Sequence, residues 1–194
     1  MENKETEQHP LGFFLPENTQ LLMLGSFPPP KARWSMNFYY PNIQNDMWRI
    51  LGTIFYQDKE YFLETKKAFS EEKAKQFCKE KGIGIGDTGM EVVRLKNNAS
   101  DNFLQIVTPL NPEEILSQIP DCKAIVVTGQ KAMDTLMAVL PPVEEPKAGS
   151  FSRFTLLGRI FRLYRMPSSS RAYPKPLEEK AAVYKQMFEE LEML

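Results

Sequence analysis

The residues able to do chemistry crowd into one stretch of this 194-residue chain, Leu21 to Trp48. Trp34, Phe38, Tyr39 and Tyr40 stand there beside the carboxamides Asn37, Asn42, Gln44 and Asn45. Rings stack on the face of a flat heteroaromatic ligand and carboxamides read its edge, so the stretch is a candidate site for such a ligand. An aromatic loop packed on its own domain is the other reading. Lys81 to Asp87 carries glycines at 82, 84 and 86 without the rest of a dinucleotide fingerprint. Two cysteines, Cys78 and Cys122, and a single histidine, His9, have no metal-ligand spacing, and a cluster held by four cysteines is excluded.

The elements around that stretch must position it. Leu21 to Leu24 is a short apolar run broken by Gly25 and Pro28-Pro29-Pro30, which predicts a buried strand opening into a long loop. Apolar residues at 47, 50, 51, 54 and 55 predict a helix starting just after Asn45, a good cap residue, so cap and reactive group are both open to that side chain. The charged stretch 58–81 predicts one or two surface helices, and Ser100 or Asp101 a short helix through Leu104. Lys123 to Gly129 predicts a β-branched strand, followed by a helix over Gln130–Leu140. Two extended segments about Leu157-Gly158 lead to a last strand ending near Met166, and Leu177–Leu194 predicts an amphipathic helix. The loops 25–45 and 166–174 each leave the carboxyl end of a strand, where open α/β sheets keep ligands, and are expected to face one another across a cleft. The expected fold is α/β, a three-layer α/β/α sandwich with a short central parallel sheet, in one domain over residues 1–194. Residues 1–10 are read as a flexible leader.

A net charge of −1 argues against a strongly basic nucleic-acid binder, although a local basic patch fits inside that balance. No apolar run approaches a membrane span, and the start MENKETEQHP has no signal-peptide core, so a soluble cytoplasmic protein with reduced thiols is expected.

The two loops together resemble the uracil-DNA glycosylase superfamily. Its first motif stands here as Gly25-Ser26-Phe27-Pro28, Tyr40 and Asn45-Asp46-Met47-Trp48, its second as Met166-Pro167-Ser168-Ser169-Ser170-Arg171. Gly84-Ile85-Gly86-Asp87, and Arg94 with Ser100-Asp101, look like the intervening segments, and the wording is similar to the hypoxanthine-type and mismatch-specific branches. The resemblance implies a metal-free, cofactor-free, monomeric hydrolase that flips a deaminated base (hypoxanthine, xanthine or uracil) from double- or single-stranded DNA and cuts its N-glycosidic bond. By position, Asn45 is the catalytic residue. Gly25, Ser26, Phe27 and Tyr40 bind the base, with Tyr40 stacking. Pro167, Ser168, Ser169 and Ser170 hold the flanking phosphates, and Arg171 wedges into or grips the strand. Lys31, Arg33, Arg159, Arg162 and Arg165, with Arg171, would frame a phosphate-binding edge, or simply be solvated.

Two departures bear on that chemistry. Phe27 stands where the uracil enzymes carry a water-activating aspartate or asparagine, and Met166 where they carry histidine. The catalytic role therefore falls on Asn45, with Asp87 or Asp101 as substitutes if they are not merely structural. A non-catalytic DNA-binding protein of this fold, and a small-molecule enzyme acting on free nucleobases or nucleosides, are the alternatives.

Overall fold

The computed structural model describes residues 4–194. In chain order the first half holds β1 (Thr6–Gln8), β2 (Leu21–Gly25), α1 (Met47–Tyr56), β3 (Leu63–Thr65), β4 (Ala68–Phe69), α2 (Glu71–Lys81) and β5 (Ile83–Asp87). The second half holds β6 (Gly89–Arg94), β7 (Leu104–Pro109), α3 (Pro112–Ser117), β8 (Ala124–Thr128), α4 (Gln130–Met137), β9 (Phe151–Leu156), β10 (Arg159–Met166) and α5 (Leu177–Glu190).

Strands β2, β5 and β8 are buried at every position, as strands covered on both faces must be. They form a five-stranded sheet in the order β5-β2-β8-β10-β9, whose first four strands are parallel. Alternation along β2 divides the core: Leu21 and Met23 face Trp48, Phe77 and Phe188 of α1, α2 and α5, whereas Leu22 and Leu24 face Leu116 and Met133 of α3 and α4. The result is the three-layer α/β/α sandwich the sequence predicts. Register pairs Gly25 with Asp87, Leu24 with Val127, and Thr128 with Met166, so four strands end together at one edge.

Local sequence explains most of the elements. Asn45 Oδ1 accepts the Met47 N–H at 3.0 Å and starts α1, and Ser70 Oγ accepts from the Lys73 N–H to start α2. Leu157 and Gly158, with φ of 54° and 69°, make the two-residue turn between β9 and β10. None of the described helices is long and apolar enough to cross a membrane.

Three expectations are corrected. Only the second half of 58–81 is helical; the first half turns through the β3–β4 hairpin, whose Phe62 and Phe69 sink into the core. The short helix at Ser100–Leu104 is a single 3-10 turn, Asp101–Phe103, and it leads directly into β7. Residues 4–10 are not a flexible leader, while 1–3 lie outside the described residues. Strand β1 pairs antiparallel with β6, which pairs with β7, making a second, three-stranded sheet. The chain then runs along the outer side of the edge strand β5, where Phe14 bridges Ile85 and the Phe13 ring covers Gly86. A Cβ at Gly86 would lie 2.2 Å from that ring, so Gly86→Ala should lift the segment away. The expected cost is about 1–3 kcal/mol in urea unfolding, and an unchanged midpoint would mean the contact is not made in solution.

Candidate active site

Under the joined strand ends lies a cavity of about 620 Å³, within the range of small-ligand sites. Of the residues singled out from the sequence, Gly25, Ser26, Phe27, Tyr40, Asn45, Ser168, Ser169, Ser170 and Arg171 all line it. Pro167 does not; its carbonyl accepts the Tyr184 hydroxyl at 2.7 Å and anchors the turn to α5.

The two loops both face this cavity, as expected. They are joined. Asn45 forms a β-bridge with Ser170, and the Asp46 N–H donates to the Ser169 carbonyl at 2.8 Å. Asp46, 8% exposed, accepts on Oδ1 from both Arg49 and Arg171 at 3.0 Å. Beneath them the buried Lys180 donates to the Ser170 carbonyl at 2.8 Å. Burial pulls its pKa below the ordinary lysine value, against the Asp46 charge. Within the turn, Ser168 Oγ accepts from the Ser170 N–H and Ser170 Oγ from the Ala172 N–H. Those bonds use oxygen lone pairs and leave the hydroxyl protons to donate outward. The Arg171 side chain, 53% exposed, is tied at Nε and fixed at the rim.

Tyr40 is held with φ of 52°, a left-handed conformation that costs a tyrosine about 1–2 kcal/mol. Its hydroxyl is buried with no hydrogen-bond partner among the described residues. Burial first, and the nearby Asp87 charge second, raise its pKa far above the ordinary tyrosine value. A strained aromatic with an orphan hydroxyl on a cavity wall is a feature that packing alone does not explain. Asn45 stands one residue before the N-cap, Asp46, and is both an acceptor at the helix start and a free donor: the Met47 N–H fixes which side-chain atom is oxygen, and Nδ2 is left uncommitted among the described residues. The Phe27 ring packs mainly behind the wall, among Val92 and Leu104 of the second sheet.

Three further residues complete the site. Asp101 accepts the Ser26 hydroxyl on Oδ1 at 2.7 Å, and its Oδ2 lies 3.7 Å from where a Cβ on Gly129 would sit, a space the glycine leaves open. Burial raises the Asp101 pKa; the Ser26 hydrogen bond opposes this, and the Asp87 charge adds to it. Asp87 ends β5 in the cavity wall, its Oδ1 against Gly25. Behind it, His9 Nε2 lies 2.8 Å from Asp87 Oδ2, with both side chains under a tenth exposed. His9 had no signal in its neighbourhood, because the strand just before it, Thr6–Gln8, exposes every side chain. Among the described residues no group of three or more His, Cys, Asp or Glu side chains is placed to hold a metal ion.

These features define an α/β sandwich with one polar, aromatic-walled cavity at the carboxyl ends of its parallel strands. Sixteen chains of solved structures match it. Among them is the solution NMR structure of a "putative Uracil DNA glycosylase from Methanosarcina acetivorans", which aligns over 97% of this chain and 99% of that one, with a TM-score of 0.65 and 22% sequence identity. The two proteins share a fold. No protein-family model and no curated protein matches the chain.

Proposed function

We propose that the protein is a DNA glycosylase that hydrolyses the N-glycosidic bond of a flipped, deaminated base. The observation that carries this reading is the joining of the serine turn to the Asn45 loop. That joining supports it by putting serine hydroxyls on the rim of the same cavity whose wall holds the strained Tyr40 and the carboxamide of Asn45. A binding site for a free base has no need of that rim.

In this reading the base enters between Tyr40 and the loop 25–29, and the serine hydroxyls and Arg171 hold the backbone outside. Asn45 Nδ2 donates to a water and turns it toward C1′. Asp101 Oδ2 takes the proton as the water oxygen bonds to C1′, and the electron pair of the breaking C1′–N bond leaves with the base. Backbone amides around Ser26 and Phe27 face the charge that develops there. Asp101 thus does the work that Phe27 and Met166 cannot. The substrate class is hypoxanthine, xanthine or uracil in DNA.

Duplexes carrying hypoxanthine, xanthine, uracil or a mismatched thymine, incubated with the protein and treated with hot alkali, test this. Cutting at one of them supports the reading. Retardation of all of them without cutting selects a binding protein, and neither result selects a small-molecule enzyme. Arg171→Ala should weaken duplex binding equally for every base and lower the slope of log affinity against log salt by about one. An unchanged slope would place the phosphate elsewhere.

A further inference from the structure

His9 is the chain's one histidine, buried beneath the cavity directly after β1, whose own three side chains are all exposed. It is not in the cavity wall. Its ring is fixed from every side. The Phe27 ring meets it edge-on at 5.2 Å and the Tyr39 ring lies at 5.8 Å. The His9 N–H donates to the Met90 carbonyl at 2.8 Å. Two residues earlier Glu7 meets Arg94 through two bonds of 3.1 Å, and Arg94 in turn donates to the Pro28 carbonyl of the cavity loop.

With the Leu11 N–H donating to Nδ1 at 3.1 Å, we assign the ring proton to Nε2, which faces Asp87 Oδ2 at 2.8 Å. The Leu11 carbonyl lies beside the same Nδ1. Asp87 therefore has one oxygen occupied by a donor, while Oδ1 has no protein donor among the described residues and faces the space above Gly25. A Cβ at Gly25 would lie 2.8 Å from it, and only glycine leaves that oxygen clear.

We propose that His9 is a positioning residue that holds Asp87 as an acceptor-only carboxylate, and that Asp87 Oδ1 selects bases bearing a ring N–H. The proposal rests on the glycosylase reading. Adenine N1 and cytosine N3 present lone pairs, and a carboxylate oxygen against a lone pair leaves both unpaired in a water-poor site. Deamination turns those positions into N–H donors in hypoxanthine and uracil. One oxygen thus separates each damaged base from its parent, while guanine and thymine, which already carry a ring N–H, must be refused by shape. Were His9 absent, the Asp87 carboxyl could rotate away from the base edge, and the distinction would fade.

The test compares wild type with His9→Phe, His9→Gln and Asp87→Asn. Phenylalanine keeps the ring packing and loses the donor; glutamine places an N–H near the Nε2 position. Where the wild type cuts a hypoxanthine duplex, His9→Phe should lose ten- to a hundredfold in kcat/KM, carried in KM, at a melting temperature His9→Gln shares. His9→Gln should recover most of the loss. Equal loss in both variants, or none in either, would overturn the proposal. A second readout does not depend on excision. In untagged, 15N-labelled protein the His9 ring gives one isolated set of signals. Free hypoxanthine should shift them in wild type and not in Asp87→Asn, with free adenine inert in both. Signals indifferent to hypoxanthine would refute the role of the pair. A shift in a wild type that cuts no duplex would uphold it while the glycosylase reading falls.

Discussion

Asn45→Asp should melt within about 2 °C of the wild type yet lose on the order of 10²–10³ in kcat on the duplex that the wild type cuts. The two halves of that result come from opposite ends of one side chain. Asn45 Oδ1 holds the Met47 N–H at the start of α1, and a carboxylate oxygen accepts that bond equally well. The amide nitrogen is the end free to meet a water, and aspartate has none. Asn45→Ala removes both, so it should lose the same activity and in addition about 1 kcal/mol of stability. The pair of variants separates catalysis from capping, which a single alanine substitution confounds. Melting curves with single-turnover cleavage at saturating protein would decide it. If Asn45→Asp cuts as fast as wild type, the oxygen is the working atom and the amide nitrogen a bystander.

What could be read from the sequence, and what could not, follows from where each residue draws its stability. Strands β2 and β8 are covered on both faces, so unbroken apolar runs announce them. The break at Gly25 announces the loop, and the cap at Asn45 with the apolar stripe beyond it announces α1. Strand β1 is the opposite case. Thr6, Glu7 and Gln8 are exposed and are held by backbone pairing to β6 and by the Glu7–Arg94 ion pair, so no hydrophobic pattern records them. His9 was invisible for the same reason, since its partner Asp87 lies 78 residues further on. The β3–β4 hairpin was hidden by charge interleaving that suits a helix equally well. There tertiary burial of Phe62 and Phe69 overrides local preference. The joining of the serine turn to the Asn45 loop depends on Asp46, a buried acid whose two arginine partners come from separate elements, 3 and 125 residues away.

The remaining carboxylate makes the second large prediction, in which activity and stability move in opposite directions. In the folded protein the Asp101 pKa is raised above the ordinary aspartate value, because burial penalises its charge more than Ser26, Lys131 and Arg94 relieve it. A carboxyl whose folded pKa is raised contributes stability that is present below the unfolded value and lost as pH rises through the folded one. At neutral pH the ionised Asp101 is therefore a cost to the fold. Asp101→Asn removes that cost and can still meet Ser26, so the melting temperature at pH 7 should rise by a few degrees, about 2–4 °C per kcal/mol recovered. The gain should shrink toward zero below about pH 4, where the wild-type carboxyl is protonated in both states. Activity should go the other way. A proton acceptor works only when ionised, so wild-type kcat/KM should fall with decreasing pH along a limb displaced upward from the ordinary aspartate range. Asp101→Asn should lie on the order of 10²–10⁴ below it with that limb gone. The cavity spends fold stability to keep a stronger base next to the scissile bond, the usual exchange at a site built for chemistry. An Asp101→Asn protein that is both less stable and fully active would mean that the Ser26–Asp101 bond is structural and that the water loses its proton to another group.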